Sequence, residues 1–133
     1  MSKQDKITQL ESEIEKLKYH ISMLNTYSVY ESNPVGSLVI SLNWSENDLE
    51  KAHDIFEKYY NLLEDNQIIN YLSIEADFES EFGIGYQRMK SVILAFFRNN
   101  QWIEVCVAFV KSFNGTEPIE FREITAYIKE NKL

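Results

Sequence analysis

The sequence predicts an all-α protein, a single-domain bundle of six to seven helices whose first helix carries a heptad repeat. Apolar residues recur at spacings of three and four over most of the chain, which is the period of a helix with one buried face. Four Gly and two Pro among 133 residues are too few for the many tight turns of a strand-rich fold. With 44% hydrophobic and 14% aromatic residues, the chain can fill a core.

The first predicted helix, residues 4–27, has the most regular pattern. In heptad terms, Ile occupies every a position and Leu every d position, which favours a parallel two-stranded coiled coil. Lys6 at g would face Glu11 at e of a second copy, and Glu13 would face Lys18 in the same way. The predicted oligomer interface therefore consists of Ile7, Leu10, Ile14, Leu17, Ile21 and Leu24, flanked by Lys6, Glu11, Glu13 and Lys18.

Two properties of this heptad stripe stay open at the level of sequence. Two to three heptads are fewer than the three or four that identify a coiled coil securely. The same residues could instead pack within the chain, against the helices predicted at 45–65 and 86–113. The pattern also does not separate a dimer from a tetramer.

The helical core is predicted to span residues 33–131, after a polar connection at Tyr27 to Ser32. Ser32 or Asn33 can cap a short second helix with Pro34 in its first turn, which ends at a left-handed Asn43. Ser45 and Asp48 form a variant of the capping box and open the third helix.

The later elements are predicted as helices, two of them with an alternative. Ser73 can cap a helix that ends near Phe82, but residues 74–82 also alternate apolar and acidic with the period of a strand. After a helix at Tyr86–Arg98, residues 102–113 are apolar on nearly all sides, which fits a buried central helix, although residues 102–110 also suit a strand. Thr116 is predicted to cap the last helix, 117–131.

The charge is unevenly distributed along the chain. The net charge is -8, and residues 46–81 hold eleven acids and two lysines. Such a stretch repels nucleic acid and anionic lipid, so a basic protein surface is the expected partner. The predicted partner-binding face is Glu75, Asp77, Glu79 and Glu81. A second hypothesis is an acidic inhibitor of mobile-element origin, which imitates nucleic acid and blocks a nucleic-acid enzyme.

No pattern typical of catalysis, of a metal site or of a cofactor site is present in the sequence, and we expect no enzyme. Glu50 and His53 form a Glu-x-x-His motif, which is half of a di-iron carboxylate site, and Glu57 shares their predicted helical face. The second half is missing, because His20 has no Glu three residues before it. A metal-dependent helical enzyme is therefore the least favoured alternative. Cys106 lies in an apolar segment and is predicted to be a buried small hydrophobe.

Composition and the N-terminal segment predict a soluble cytoplasmic protein. A single cysteine excludes an intrachain disulfide and suits a reducing compartment. The first residues contain no apolar signal core. The longest apolar stretch, residues 105–110, is far shorter than the roughly 20 residues of a membrane-spanning helix.

The hydrophobic pattern of residues 7–113 resembles the YhaI-like family, small helical bacterial proteins of unknown function. The resemblance is carried by Ile14-Glu-Lys-Leu17-Lys-Tyr-His-Ile21, by residues 34–42, by Ser45-Glu-Asn-Asp48, and by residues 82–113 with the turn Asn99-Asn100. It implies an all-helical fold and self-association, and it transfers no catalytic residue. The resulting prediction is a small, non-enzymatic, homo-oligomeric interaction or regulatory protein.

Overall fold

The computed structural model describes residues 2–26 and 33–133, without the side chains of residues 24–26. The predicted all-α class is confirmed, since the described residues contain α-helices, one 3-10 turn and no strand. The predicted connection at Tyr27 to Ser32 lies outside the described residues. The helices are α1 (Lys3–Thr26), α2 (Pro34–Ser41), α3 (Glu46–Glu64), α4 (Tyr71–Phe82), α5 (Tyr86–Arg98), α6 (Ile103–Lys111) and α7 (Arg122–Glu130), with the 3-10 turn at Ile119–Phe121 before α7.

The contacts of the chain group into two compact units, Met1–Glu50 and Lys51–Leu133. In the first unit α1 contacts α2, whose start follows the sequence prediction. Asn33 Oδ1 accepts a hydrogen bond from the Gly36 N–H at 2.9 Å, and Pro34 occupies the first turn. A Cβ added to Gly36 would collide with the Asn33 side chain, so glycine at this position allows the cap to close. Asn43 is left-handed, with φ of 56°, as predicted.

The predicted capping box at the start of α3 is also confirmed. The Ser45 N–H donates to Asp48 Oδ2 at 2.9 Å, and the Asp48 N–H donates to Ser45 Oγ at 3.2 Å. Two of the N–H groups that a helix start leaves without a partner are thereby satisfied.

The second unit has an aromatic core supplied by four helices and the 3-10 turn. The ring of Phe56 lies 4.7 Å from that of Phe96 and 5.6 Å from that of Phe78, measured between centroids. Phe109 lies 5.7 Å from Phe121 in an edge-to-face arrangement. All five rings are at most 1% exposed, so this unit buries its largest apolar side chains completely.

Helix α6 is the central element of the second unit, as residues 102–113 predicted. It contacts α4, α5 and α7, and Val105, Cys106 and Phe109 are at most 1% exposed. The strand alternatives for residues 74–82 and 102–110 are both wrong, because each segment is helical. In the part of the chain that the structure describes, no helix has the length and apolar character needed to cross a membrane.

Two predicted helix starts are wrong. Helix α4 begins at Tyr71 rather than after Ser73, because the Asn70 side chain accepts from the Leu72 N–H at 2.8 Å. Thr116 does not cap the last helix, since its hydroxyl donates back to the Phe113 carbonyl at 2.6 Å. Pro118 instead precedes the 3-10 turn from which α7 continues.

Candidate interaction surface

The heptad stripe of α1 is exposed. Ile7, Ile14 and Ile21 at the a positions expose 48%, 49% and 54% of their surface, and Leu10 and Leu17 at the d positions expose 59% and 57%. The side chain of Leu24, the last predicted layer, is outside the description. Half of the ten large hydrophobic residues that are exposed in the described chain therefore lie in this one row. A contiguous exposed apolar row is typical of an interaction site, whereas single exposed hydrophobics are ordinary.

A different side of α1 is partly buried by packing against the chain. Lys16, Tyr19, His20 and Met23 are half-buried, and they occupy the c, f and g positions. His20 Nε2 lies 2.7 Å from the Trp44 carbonyl oxygen, which ties the helix to the segment that leads into α3. The stripe and the packed side are thus distinct faces of the same helix.

The N-terminal half of α1 has no buried residue. Residues 2–15 are all exposed, and the helix start is held only locally. The Asp5 N–H donates to Ser2 Oγ at 3.1 Å and the Ser2 N–H to Asp5 Oδ2 at 3.4 Å, a reciprocal cap that sequence reasoning missed. The sequence signal of this cap is Ser2 followed three residues later by Asp5. An isolated helix shorter than about 12–15 residues is marginal in water, and helices in proteins are stabilised mainly by packing. This half of α1 has no buried residue to supply that packing.

The four charged residues that flank the stripe are exposed as well. Lys6, Glu11, Glu13 and Lys18 all point into solvent. Lys18 Nζ lies 3.6 Å from Glu15 Oε1, on the preceding turn, but both side chains are about 70% exposed or more, so the pair is weak and can exchange. These charges are accessible to a second helix laid along the stripe.

The predicted acidic face is not one face. Because residues 71–82 form a helix, carboxylates two positions apart point to nearly opposite sides of it. Glu75 and Glu79 share one side of α4, and Asp77 and Glu81 share the other, with the buried Ile74 and Phe78 on the remaining side. The period of two that suggested a single acidic surface would have produced one only in a strand.

Two of these four carboxylates are paired within the second unit. Asp77 Oδ2 accepts from Lys58 Nζ at 2.9 Å and from the Tyr59 hydroxyl at 2.6 Å. Burial alone would raise the pKa of Asp77, but these hydrogen bonds lower it below the ordinary value. Glu81 lies 3.0 Å from Lys51 Nζ. Burial raises the pKa of Glu75 against the opposing effect of Lys90. Because Asp77 and Glu81 are paired with lysines, the four carboxylates carry less uncompensated negative charge than their number suggests.

His53 belongs to an aromatic cluster. Its Nδ1 accepts a hydrogen bond from Trp102 Nε1 at 3.0 Å, and its ring lies edge-on to Phe96 at 5.3 Å. Burial lowers the pKa of His53, although the Asp54 charge acts in the opposite direction. Within residues 2–26 and 33–133, no group of three or more His, Cys, Asp or Glu side chains is placed to hold a metal ion. The Glu50, His53 and Glu57 motif is therefore not assembled into a metal site among these residues.

Trp102 shows the constraint that this cluster imposes on the backbone. It adopts a left-handed conformation with φ of 54°, which is unusual for a bulky residue. Its indole stacks on Phe56 at 6.1 Å and meets Tyr60 edge-on at 6.0 Å. Packing and the hydrogen bond to His53 together hold the strained residue at the start of α6.

Cys106 has the buried setting that the sequence predicted. It is 0% exposed, and burial raises the pKa of its thiol well above the ordinary value. Its Sγ lies 3.6 Å from the Ile93 carbonyl oxygen. A thiol that stays protonated and inaccessible is not a nucleophile.

The chain matches no known family model, no curated protein and no solved structure. The resemblance to the YhaI-like family therefore stays a prediction.

Proposed function

We propose that this protein is a small, non-enzymatic interaction protein that self-associates through α1. The observation that carries the proposal is the exposed row from Ile7 to Ile21, in which every described a and d side chain is about half accessible. Burying an apolar side chain of this size stabilises an assembly by about 1.5–3 kcal/mol relative to full exposure. A second copy of the same row supplies that burial, and the alternation of Ile and Leu suits helix pairing.

The exposure of the stripe supports pairing between chains over packing within one chain. An intramolecular core would require these residues to reach the few per cent exposure of the core residues, such as Phe96 at 0%. Residues 2–15 also have no buried residue, and pairing would supply the packing that normally stabilises a helix.

A basic protein remains the expected partner of the acidic stretch, but as a secondary proposal. Asp77 and Glu81 are already matched by Lys58 and Lys51, so Glu75 and Glu79 are the members of the predicted set that can respond to an external cation. The nucleic-acid mimic is less favoured for the same reason, because it needs an uninterrupted array of carboxylates.

Solution mass by light scattering after size-exclusion chromatography tests self-association. We expect the full chain to elute as a dimer or larger species, and Leu17→Glu to elute as a folded monomer, because it places a charge in the dry seam. The matched control is Gln9→Glu, a charge of the same sign on the same helix at an exposed position off the stripe. A full chain that is monomeric at tens of micromolar, or a Leu17→Glu variant that still assembles, would contradict the proposal.

A further inference from the structure

We propose that α1 pairs with α1 of a second copy as a parallel, two-stranded coiled coil, so that both chains continue from the same end of the pair. This inference rests on the proposed self-association and adds its stoichiometry and its direction. The partner of the exposed stripe is a second copy of this chain.

The packed side of α1 limits the number of partners. Coiled coils of three or more strands bury the e and g flanks of every helix in addition to a and d. In the C-terminal half of α1 the g flank is taken, because His20 is half-buried and its Nε2 lies 2.7 Å from the Trp44 carbonyl oxygen. Tyr19 and Met23 close the adjoining f and c positions. The remaining arc accommodates one helix, which agrees with the two-stranded preference of Ile at a and Leu at d.

The apolar layers favour the parallel direction. In a parallel pair Ile14 packs against Ile14 of the second copy and Leu17 against Leu17, so each layer is of one residue type and has the geometry that suits it. In an antiparallel pair every a residue packs against a d residue, so each layer mixes Ile with Leu. The strict alternation of the two residue types then gives no packing advantage.

The flanking charges fit the parallel pair best. There Lys6 faces Glu11 of the second copy and Glu13 faces Lys18, and each contact occurs twice by symmetry. An antiparallel pair keeps one favourable contact, Glu11 with Lys18, but it sets Glu13 opposite His20, whose ring is already engaged by the Trp44 carbonyl. The parallel arrangement therefore uses all four charges, and the antiparallel arrangement uses two.

Direction has a consequence for what the assembly can bind. Both copies of residue 26 lie at the same end of a parallel pair, so the two chains leave the helix pair at that end. Two copies of any surface on them are then available to one partner, which favours a two-fold symmetric partner or one with two equivalent sites, through avidity.

Disulfide trapping measures the direction directly. Leu10→Cys and, separately, Ile21→Cys are oxidised mildly in the full-length protein and resolved without reductant. In a parallel pair each new thiol faces its own copy, and we expect a covalent dimer to form about tenfold or more faster than with the off-stripe control Gln9→Cys. Wild type is the blank, because Cys106 is 0% exposed.

The antiparallel alternative is tested by crosslinking two different cysteine variants. With the two stripes fully overlapped, Leu10 would face Ile21 of the second copy, so a mixture of tagged Leu10→Cys and untagged Ile21→Cys would give a mixed dimer while neither variant crosslinks alone. That outcome, combined with a dimeric mass, overturns the direction and leaves self-association intact.

A trimeric or tetrameric mass overturns the two-stranded stoichiometry. A monomeric mass overturns the proposed function together with this inference, whereas self-crosslinking of both single variants at a dimeric mass supports it.

Discussion

Helix α1 and the helices of the second unit use similar apolar residues at the same helical spacing, yet they place them in opposite surroundings. In the second unit Phe56, Phe78 and Phe96 are each 0% exposed, and the ring of Phe56 contacts both of the others. In α1 the corresponding row from Ile7 to Ile21 is about half exposed. Periodicity therefore identifies an apolar face but not what covers it. The regular alternation of Ile and Leu in α1, which α3 and α5 lack, is the feature that distinguishes the proposed interface from the core.

The largest expected difference is between truncating a residue of the second-unit core and truncating a residue of the α1 stripe. Phe56→Ala removes a ring packed between Phe78 and Phe96, and we expect it to lower the free energy of unfolding by about 3–5 kcal/mol. Ile14→Ala should lower the free energy of unfolding of the second unit by less than about 0.5 kcal/mol, because its side chain is already exposed. Urea titration followed by tryptophan fluorescence measures both. Equal losses in the two variants would show that the stripe is part of the core.

A second prediction uses the His53 cluster to titrate the second unit. Burial lowers the pKa of His53 in the folded state, so between that pKa and the ordinary value near 6.5 the unfolded chain binds more protons. The free energy of unfolding should therefore fall as the pH drops below about 6.5. Urea midpoints between pH 7.5 and about 5.5 measure the slope, above the range where Asp77 and Glu123, whose pKa values are lowered, are protonated. His53→Gln is the control, and an unchanged slope in that variant would assign the dependence to other groups.

A smaller effect distinguishes the paired side of α4 from its other side. Asp77→Asn weakens the contacts with Lys58 and Tyr59, and we expect a loss of about 1 kcal/mol in unfolding free energy. Glu79→Gln removes the same charge from an exposed position and should change stability by less than about 0.5 kcal/mol. Thermal unfolding of the two variants side by side makes the comparison. If both variants behave alike, the Asp77 contacts contribute nothing measurable.

The sequence predicts the features that depend on neighbouring residues, and it does not predict those that depend on distant contacts. The caps at Asn33 and at Ser45 with Asp48 were predictable because they depend on residues at most three positions apart. The caps assigned to Ser73 and Thr116 were wrong, since nearby alternatives compete and distant contacts decide between them. Tyr71, for example, starts α4 with its N–H bound to Ser112 Oγ, 41 residues away. The Trp102 to His53 hydrogen bond spans 49 residues and leaves no trace in local spacing.

The effect that is smallest per contact tests the direction of the proposed α1 pair through its charges. Glu13→Lys places like charges opposite each other twice in a parallel dimer, and at about 0.5 kcal/mol per pair it should weaken dimerisation roughly fivefold. Adding Lys18→Glu restores the attraction in a parallel pair, so the double variant should recover wild-type affinity. In an antiparallel pair Lys18→Glu would instead face Glu11 and weaken the dimer further. Sedimentation equilibrium at low salt measures these differences, which should shrink as salt is raised because the pairs are exposed. Recovery in the double variant thus requires the direction that the Ile and Leu layers favour, and its failure in a dimeric protein would reverse that assignment.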